Sequence, residues 1–144
     1  MTVKEYTPES RGDLYLPGWI LGLGCVFCAA GGYWLLRYMI HGDAATLIGA
    51  AGSLGLGISA VLCWKNQKVQ MISGTHFEYT TFLGNRYTYA FRDITGLELG
   101  RGGDHWTLHV AGKKVHMESC AVISARLLDR ISEELTRLDP EKTT

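Results

Sequence analysis

Two uncharged stretches near the start of the chain decide the fold. The first is LYLPGWILGLGCVFCAAGGYWLL (residues 14–36), and the second is AATLIGAAGSLGLGISAVLCW (residues 44–64). An α-helix rises about 1.5 Å per residue, so about 20 apolar residues cross the roughly 30 Å of hydrocarbon in a bilayer. Both stretches are long enough, which excludes a soluble domain in this part of the chain. The sequence therefore predicts transmembrane helices over residues 17–40 and 44–65.

The charges around these helices predict their orientation. Only His41, Gly42 and Asp43 separate the two helices, so the second returns directly and the outer ends of the hairpin face one compartment. Four cations lie outside those ends: Lys4, Arg11, Lys65 and Lys68. Arg37 is the one certain cation near the tip. Because cytoplasmic segments are enriched in Lys and Arg, we expect a multi-pass protein of the cell membrane with both termini in the cytoplasm.

A cleaved signal peptide is the competing interpretation of the first stretch. Its apolar run is too long for one, acidic residues precede it, and a second apolar stretch follows it. The favoured interpretation of residues 1–16 is therefore a cytoplasmic N-terminal tail.

Small residues recur every four positions in both predicted helices. They are Gly24, Cys28 and Gly32 in the first helix, and Ala45, Gly49, Ser53 and Gly57 in the second. Small side chains let helix backbones approach closely, which stabilises helix pairs in lipid. Packing within the hairpin is the favoured interpretation. The alternative is self-association or binding of a partner membrane protein, with Gly18 and Gly22 or Gly31 left over for that contact.

The chain changes character after residue 66. Short alternating runs rich in Tyr, Thr, Phe and Val, separated by glycine-containing turns, are typical of antiparallel strands. We predict six strands, over residues 68–73, 76–83, 86–91, 95–100, 104–111 and 113–118. Apolar residues then recur at helical spacing, which predicts an amphipathic helix capped by Ser119 and ended by Pro140. The fold class is therefore α+β, with a small antiparallel sheet or barrel and its helix over residues 66–139 and a tail over 140–144.

The pattern of residues 74–138 resembles the bacterial pleckstrin-homology-like (PH-like) domains. The resemblance rests on FEY at residues 77–79, the Gly84-Asn85 turn, YAFRDI at residues 89–94, and the hairpin and helix that follow. Two N-terminal membrane helices before such a domain are familiar, including in proteins with a YcxB-like domain. The resemblance implies a strongly bent sheet capped by a C-terminal helix, and seven strands where the sequence predicts six. The basic cluster that binds phosphoinositides in eukaryotic relatives has no counterpart at residues 84–86.

Three histidines are the strongest candidates for chemistry. The Gly112-Lys113 pair has the form of a type II′ hairpin turn, a register that sets His109 opposite His116, with His105 further along the same face. Opposed Cβ atoms lie about 5 Å apart, so two imidazoles could share a divalent metal. Their spacing matches no established zinc signature, and histidines on a solvated strand face are usually surface residues. We therefore predict no metal and no cofactor, and name these three histidines as the residues that would hold a metal.

Charge and motifs restrict the function. The 14 basic and 14 acidic residues give a net charge of zero, which argues against a nucleic-acid binder. The sequence carries no nucleophile elbow, phosphate loop or zinc-protease motif. We expect a non-enzymatic scaffold or interaction module on the cytoplasmic face, whose partners are the bilayer and another protein. The alternatives are a small subunit of a larger homo- or hetero-oligomeric membrane complex, such as a transport-associated one, and a membrane-bound metal-dependent enzyme.

Overall fold

The computed structural model describes residues 1–5, 7, 11–100 and 105–138. The chain forms two compact units, and one is inserted into the sequence of the other. The helical unit is Pro17–Asn66, and the sheet unit joins Met1–Leu16 to Gln67–Thr144. The observed fold is therefore mixed, with two long apolar helices, antiparallel strands and a C-terminal helix, as the sequence predicts at that level.

The helical unit contains α1 (Gly18–His41) and α2 (Ala44–Asn66). Their mean hydropathies are 1.7 and 1.8, so both are long and apolar enough to cross a membrane. Gly42 ends α1 in the left-handed conformation, with φ of 69°, and donates its N–H to the Tyr38 carbonyl at 2.7 Å. Asp43 then starts α2, because its carboxylate accepts the Ala45 N–H at 3.3 Å. The reversal between the helices is thus built from the two residues between them, Gly42 and Asp43.

Within its described residues, the sheet unit contains nine strands and one α-helix. In chain order the strands are β1 (Thr2–Lys4), β2 (Leu14–Tyr15), β3 (Lys68–Met71), β4 (His76–Thr80), β5 (Arg86–Ala90), β6 (Ile94–Leu99), β7 (His105–Val110), β8 (Lys113–Glu118) and β9 (Val122–Ser124), followed by α3 (Ala125–Leu138). One sheet has the order β1-β9-β2-β3-β4-β5, and the other has β6-β7-β8. All pairs are antiparallel except β1 with β9.

All six predicted strands are present, with ends shifted by up to three residues. The structure adds β1, β2 and β9, which the sequence does not predict. The segment of residues 1–16, predicted to be a tail, supplies the first two of these strands, and Leu14 and Leu16 are buried. Strands of two or three residues are too short to show an alternating pattern, so the sequence carried no signal for them.

The predicted start of the last helix was wrong. The helix begins at Ala125, and its cap is Ser124, whose hydroxyl oxygen accepts the Leu127 N–H at 3.3 Å. Residues 122–124 are strand instead, and Ile123 is fully buried there. Its side chain fitted the helical pattern by spacing alone. The predicted end at Pro140 and the tail of residues 140–144 lie outside the described residues.

The predicted register of the β7–β8 hairpin was also wrong. Ala111 and Gly112 form the turn, with φ of 48° and 75°, which is the type I′ conformation rather than a turn at Gly112-Lys113. Leu108 therefore pairs with Val115, and the register differs by two residues from the predicted one. A shift of two leaves every side chain on its predicted face, since faces alternate with period two.

The core of the sheet unit is formed by side chains from both sheets and α3. Its largest fully buried members are Phe77, Phe91, Ile94, Leu108, Met117, Ile123 and Leu127. The rings of Phe77 and Phe91 lie 5.0 Å apart between centroids. The helix α3 buries Leu127 and Ile131 and lies against β6 and β9. A predicted closing role for the amphipathic helix is consistent with this packing.

Candidate functional site

The two helices of the helical unit are in close contact at Gly24, Cys28 and Gly57. A Cβ added to Gly57 would lie 2.6 Å from Cys28 Sγ and 2.8 Å from the Gly24 carbonyl oxygen. A Cβ on Gly24 would lie 3.1 Å from the Gly57 carbonyl oxygen. Real Cβ atoms do not approach backbone this closely, so these glycines set the distance between the helices.

The contact follows a different line from the predicted one toward the tip. Gly31, rather than Gly32, faces the other helix: a Cβ on Gly31 would lie 2.6 Å from Leu54 Cγ, whereas one on Gly32 meets no other described atom within 4 Å. In α2 the buried residues are Thr46, Ala50 and Gly57, and Ala45 is exposed.

The geometry of the α-helix explains why the observed contact departs from the predicted four-residue spacing. Each residue of an α-helix turns about 100°, so a step of four residues overshoots a full turn by about 40°. A strict four-residue stripe therefore winds away from its partner within three steps. Gly49 stays near the contact, 3.6 Å from the Trp34 ring when a Cβ is added, and Ser53 is half-buried. Of the seven predicted packing residues, Gly24, Cys28 and Gly57 are brought together, and Gly32 and Ala45 are not.

The histidine face lies on the outer side of the three-stranded sheet. The observed register sets His109 opposite Lys114 and His116 opposite Thr107, while His105 pairs with Glu118. His109 Nε2 lies 3.2 Å from Glu98 Oε2, and His116 Nδ1 lies 3.2 Å from Thr107 Oγ1. The two-histidine pair on which the metal hypothesis depended is therefore not formed.

Within residues 1–5, 7, 11–100 and 105–138, no group of three or more His, Cys, Asp or Glu side chains lies together in a geometry for a metal ion. The outer face is instead a mixed polar surface of imidazole, carboxylate and ammonium groups. Such a surface suits contact with water or with a polar protein partner.

A shallow cavity of about 220 Å³ lies beside α3 and is lined by Thr75, His76, Ala90, Arg92 and Arg130. Arg130 Nε donates to the Gly74 carbonyl at 3.0 Å, and its two terminal nitrogens donate to Glu133 and Glu134 at 2.8 and 2.6 Å. Its guanidinium also lies 5.3 Å from the Phe91 ring centroid. The Arg130 guanidinium is therefore already bound within the sheet unit, and it links α3 to the β3–β4 turn.

Asp13 is a fully buried polar side chain in the sheet unit with several hydrogen-bond partners. Arg126 binds it through two nitrogens, Nε to Oδ1 at 2.5 Å and Nη2 to Oδ2 at 2.9 Å. The Ser124 hydroxyl donates to Oδ1 at 2.7 Å, and the Met71 N–H donates to Oδ2 at 2.9 Å. Its backbone also pairs with Val69 and Ser124. Asp13 thus joins β2, β3, β9 and α3.

The electrostatics of Asp13 agree with this geometry. Burial by itself raises the pKa of a carboxyl group. The hydrogen bonds from Arg126, Ser124 and the Met71 backbone outweigh burial and hold the pKa of Asp13 below its ordinary value. The carboxylate is therefore charged at neutral pH and stabilises the junction in that form.

Sequence reasoning treated Asp13 only as an acidic residue before the first apolar stretch. Its partners Ser124 and Arg126 are 111 and 113 residues away along the chain. No local pattern links residues at such a separation, so this cluster had no signal in the sequence.

No known protein family, curated protein or solved structure matches this chain.

Proposed function

We propose that this chain is a membrane-anchored interaction module: the α1–α2 hairpin spans the bilayer, and a PH-like sheet unit contacts another protein at the cytoplasmic face. The observation that carries the proposal is the pairing of β2 with β3 across the inserted hairpin. Leu14 pairs with Val69, and Tyr15 pairs with Lys68. The chain thus leaves the sheet and returns to it at neighbouring positions, which supports a hairpin whose two outer ends lie on one side of the membrane.

The strand order supports the PH-like assignment. The strands β2, β3, β4 and β5 form an antiparallel meander, β6, β7 and β8 form a second one, and α3 follows. These are seven strands and a C-terminal helix, the number that the PH-like fold requires. The six strands predicted from residues 68–118 lacked β2, which precedes the hairpin in the sequence. In this proposal β1 and β9 are additions at one edge of the first sheet.

An interaction role is supported by the exposed side of the second sheet. That side carries imidazole groups together with charged groups of both signs. These residues are Glu98, His105, His109, Lys114, His116 and Glu118. Mixed polar surfaces of this kind give specificity in protein recognition through complementary charges. The scaffold role is therefore assigned to the sheet unit and the anchoring role to the helices.

Thiol labelling in cells tests the anchoring and orientation. The four native cysteines are replaced by alanine, and single cysteines are introduced by His41→Cys at the hairpin tip and Ile72→Cys in the β3–β4 turn. A membrane-impermeant reagent should label the first variant in intact bacterial cells and the second only after permeabilisation. The reverse pattern would contradict the orientation, and labelling of both in intact cells would contradict the spanning hairpin.

The interaction role is tested by cross-linking in the membrane. The full-length protein and a Lys114→Glu/His116→Glu variant are treated with the same lysine-independent photo-cross-linker at position 105. A discrete adduct in the parent that disappears in the variant supports a partner on this face. An adduct that persists unchanged in the variant, or none in the parent, contradicts it.

A second candidate function, subunit of a larger membrane complex, is favoured by one observation. A Cβ added to Gly18, Gly22, Gly32, Gly52 or Gly55 meets no other described atom within 4 Å, so these glycines are not used between α1 and α2. Small residues on an open helix face suit a further helix. Light scattering of the detergent-solubilised chain tests this: an oligomer that Gly22→Leu converts to a monomer supports it, and a monomeric parent contradicts it.

A further inference from the structure

The strand β8 lies at an edge of the three-stranded sheet. Among the described residues, it pairs with β7 on one side and with no strand on the other. The side chains of Lys114, His116 and Glu118 are exposed, whereas those of Val115 and Met117 are buried in the core. An unpaired strand edge presents backbone N–H and C=O groups that another strand can bind. The edge of β8 is therefore a place at which a further strand can add.

The hydrogen bonds of β7 show which residues of β8 face this edge. The His105 carbonyl and the Ala111 N–H both bond to residues next to β6, each at 2.9 Å. Successive residues of a strand direct their backbone groups to opposite neighbours, so the even-numbered residues of β7 bind β8. Their partners in β8 are Lys113, Val115 and Met117. The residues whose backbone groups point to the open edge are therefore Lys114, His116 and Glu118.

Most of these edge groups have no partner in the part of the chain that the structure describes. The Glu118 carbonyl accepts the Ala121 N–H at 3.0 Å, whereas the backbone groups of Lys114 and His116 bond to no described residue. The Lys114 and Glu118 side chains likewise form no salt bridge with another described side chain. The edge thus offers an incoming strand both backbone groups and two opposite charges.

The charges along this edge complement those of a second copy of the same edge. His116 lies midway between Lys114 and Glu118 in the sequence. When two β8 strands pair antiparallel with His116 opposite His116, Lys114 of each copy lies opposite Glu118 of the other. Opposite charges at directly facing positions stabilise a strand pair, and like charges destabilise it. Other registers lose both of these charge pairs, so the charges favour one register and a second copy as the partner.

We infer that two copies of this chain associate through antiparallel pairing of their β8 edges, centred on His116, so that two three-stranded sheets become one sheet of six strands. This inference rests on the proposed interaction role of the second sheet, and it identifies the partner as a second copy. The contact has two-fold symmetry, because both copies use the same surface. The outer sides of the two sheets face the same way, since directly opposed residues place their side chains on one face.

Cysteine cross-linking in native membranes tests the pairing on the full-length chain. The four native cysteines are replaced by alanine, and a single cysteine is introduced by His116→Cys. The matched control is Glu98→Cys in β6 on the same outer side, where the glutamate side chain is 65% exposed. Opposed Cβ atoms at position 116 lie about 5 Å apart in the pair, whereas the two β6 strands are five strand spacings apart, about 24 Å. A short bismaleimide should therefore give a homodimer from position 116 and little from position 98.

Charge reversal in the His116→Cys protein tests the register. Lys114→Glu or Glu118→Lys converts two opposite-charge pairs into two like-charge pairs, so the initial cross-linking rate in proteoliposomes at low protein density should fall by about fivefold or more. The double variant Lys114→Glu/Glu118→Lys restores the opposite-charge pairs and should restore the rate. Damage to β8 itself would not be reversed by the second substitution. Near-ultraviolet circular dichroism checks the fold of each variant, and the comparison of positions 116 and 98 needs none of them.

The outcomes separate this inference from the proposed interaction role. A homodimer at position 116 that the single reversals weaken and the double variant restores supports the inference. Cross-linking of position 116 to a different protein overturns the inference and leaves the interaction role standing. A homodimer that the reversals leave unchanged also overturns it, because association then runs through another surface. If neither position 116 nor the photo-cross-linker at position 105 gives an adduct with any protein, both the inference and the interaction role are overturned.

Discussion

At the residue scale, the sheet unit depends on one buried carboxylate. Asp13 accepts hydrogen bonds from Arg126, Ser124 and the Met71 backbone, and these groups come from two parts of the chain that are both far from residue 13. A buried charge is tolerated only when it is paired and hydrogen-bonded, and removal of one partner leaves the other uncompensated. The cluster therefore makes β2, β9 and α3 mutually dependent.

Replacement of this carboxylate should destabilise the sheet unit strongly. For Asp13→Asn we expect a loss of about 2 to 4 kcal/mol in the free energy of unfolding, because the ion pair with Arg126 is lost while the polar groups around it stay buried. Denaturant unfolding of the detergent-solubilised chain, followed by near-ultraviolet circular dichroism, measures it. The matched control is Glu133→Gln, whose carboxylate is 67% exposed and binds Arg130, and which should change stability by less than about 1 kcal/mol.

The same residue predicts a pH dependence. Since the pKa of Asp13 is lower in the folded protein than in the unfolded chain, folding is favoured by the charged form. This contribution is fully present above the unfolded value of about 3.9 and is lost as the pH falls through the folded value. The melting temperature of the parent should therefore fall more steeply below about pH 4 than that of Asp13→Asn. Parallel curves for the two proteins would contradict a charged Asp13.

At the element scale, the helical hairpin and the β7–β8 turn each contain a backbone position at which an added methyl group would be unfavourable. The contact of α1 with α2 leaves no room for a Cβ at Gly57, and the β7–β8 turn requires positive φ at two successive residues. The sequence predicted both elements, but not which helix residues face each other or which strand residues pair. Which helix residues face each other depends on the contact of Leu54 with Gly31. Which strand residues pair depends on the conformation of Ala111 and Gly112.

The helix contact predicts opposite effects for two glycine substitutions in α2. Gly57→Ala should lower hairpin stability by about 2 kcal/mol, because the new Cβ meets the Cys28 and Gly24 backbones. Gly52→Ala should leave hairpin stability unchanged or raise it. Alanine favours a helix, and a Cβ at position 52 meets no other described atom within 4 Å. Far-ultraviolet circular dichroism during unfolding in mixed detergent micelles compares them. Equal effects would contradict the close contact at Gly57.

The β7–β8 turn predicts a stabilising substitution. Ala111 adopts a φ of 48°, which costs a residue with a Cβ roughly 1 kcal/mol relative to glycine. Ala111→Gly should therefore raise the melting temperature of the sheet unit, and Gly112→Ala at the neighbouring φ of 75° should lower it. Differential scanning calorimetry of the solubilised chain distinguishes the two signs. A type II′ turn at residues 112–113 would give no gain from Ala111→Gly.

At the scale of the whole molecule, the N-terminal segment belongs to the sheet unit. The strand β2 lies inside the first sheet, between β9 and β3, whereas β1 lies at its edge. We expect removal of residues 1–5 to be tolerated and removal of residues 1–16 to expose residues 67–138 to protease digestion. Limited proteolysis of the two truncated proteins in membranes, analysed by mass spectrometry, measures this. Equal resistance in both would show that the segment acts as a free tail.

Sequence patterns reached the parts of the molecule that repeat. The apolar runs of residues 14–36 and 44–64 fixed the two helices, and alternation fixed the six longer strands within a few residues. The patterns did not reach β1, β2 and β9, because strands this short pair through contacts with distant residues. The pairing of Asp13 with Arg126 could not be predicted for the same reason. Of the candidate sites, helix packing was recognisable by composition, and the histidine pair depended on a register that the turn conformation decides.

The position of β2 also constrains how the protein is made. Leu14 pairs with Val69 on one side and with Ile123 on the other. Residue 14 is synthesised long before either partner exists, and both apolar helices are synthesised in the interval. The first sheet therefore closes only after β9 has been synthesised. Until then the early strand stays unpaired, and chaperones and proteases can reach it.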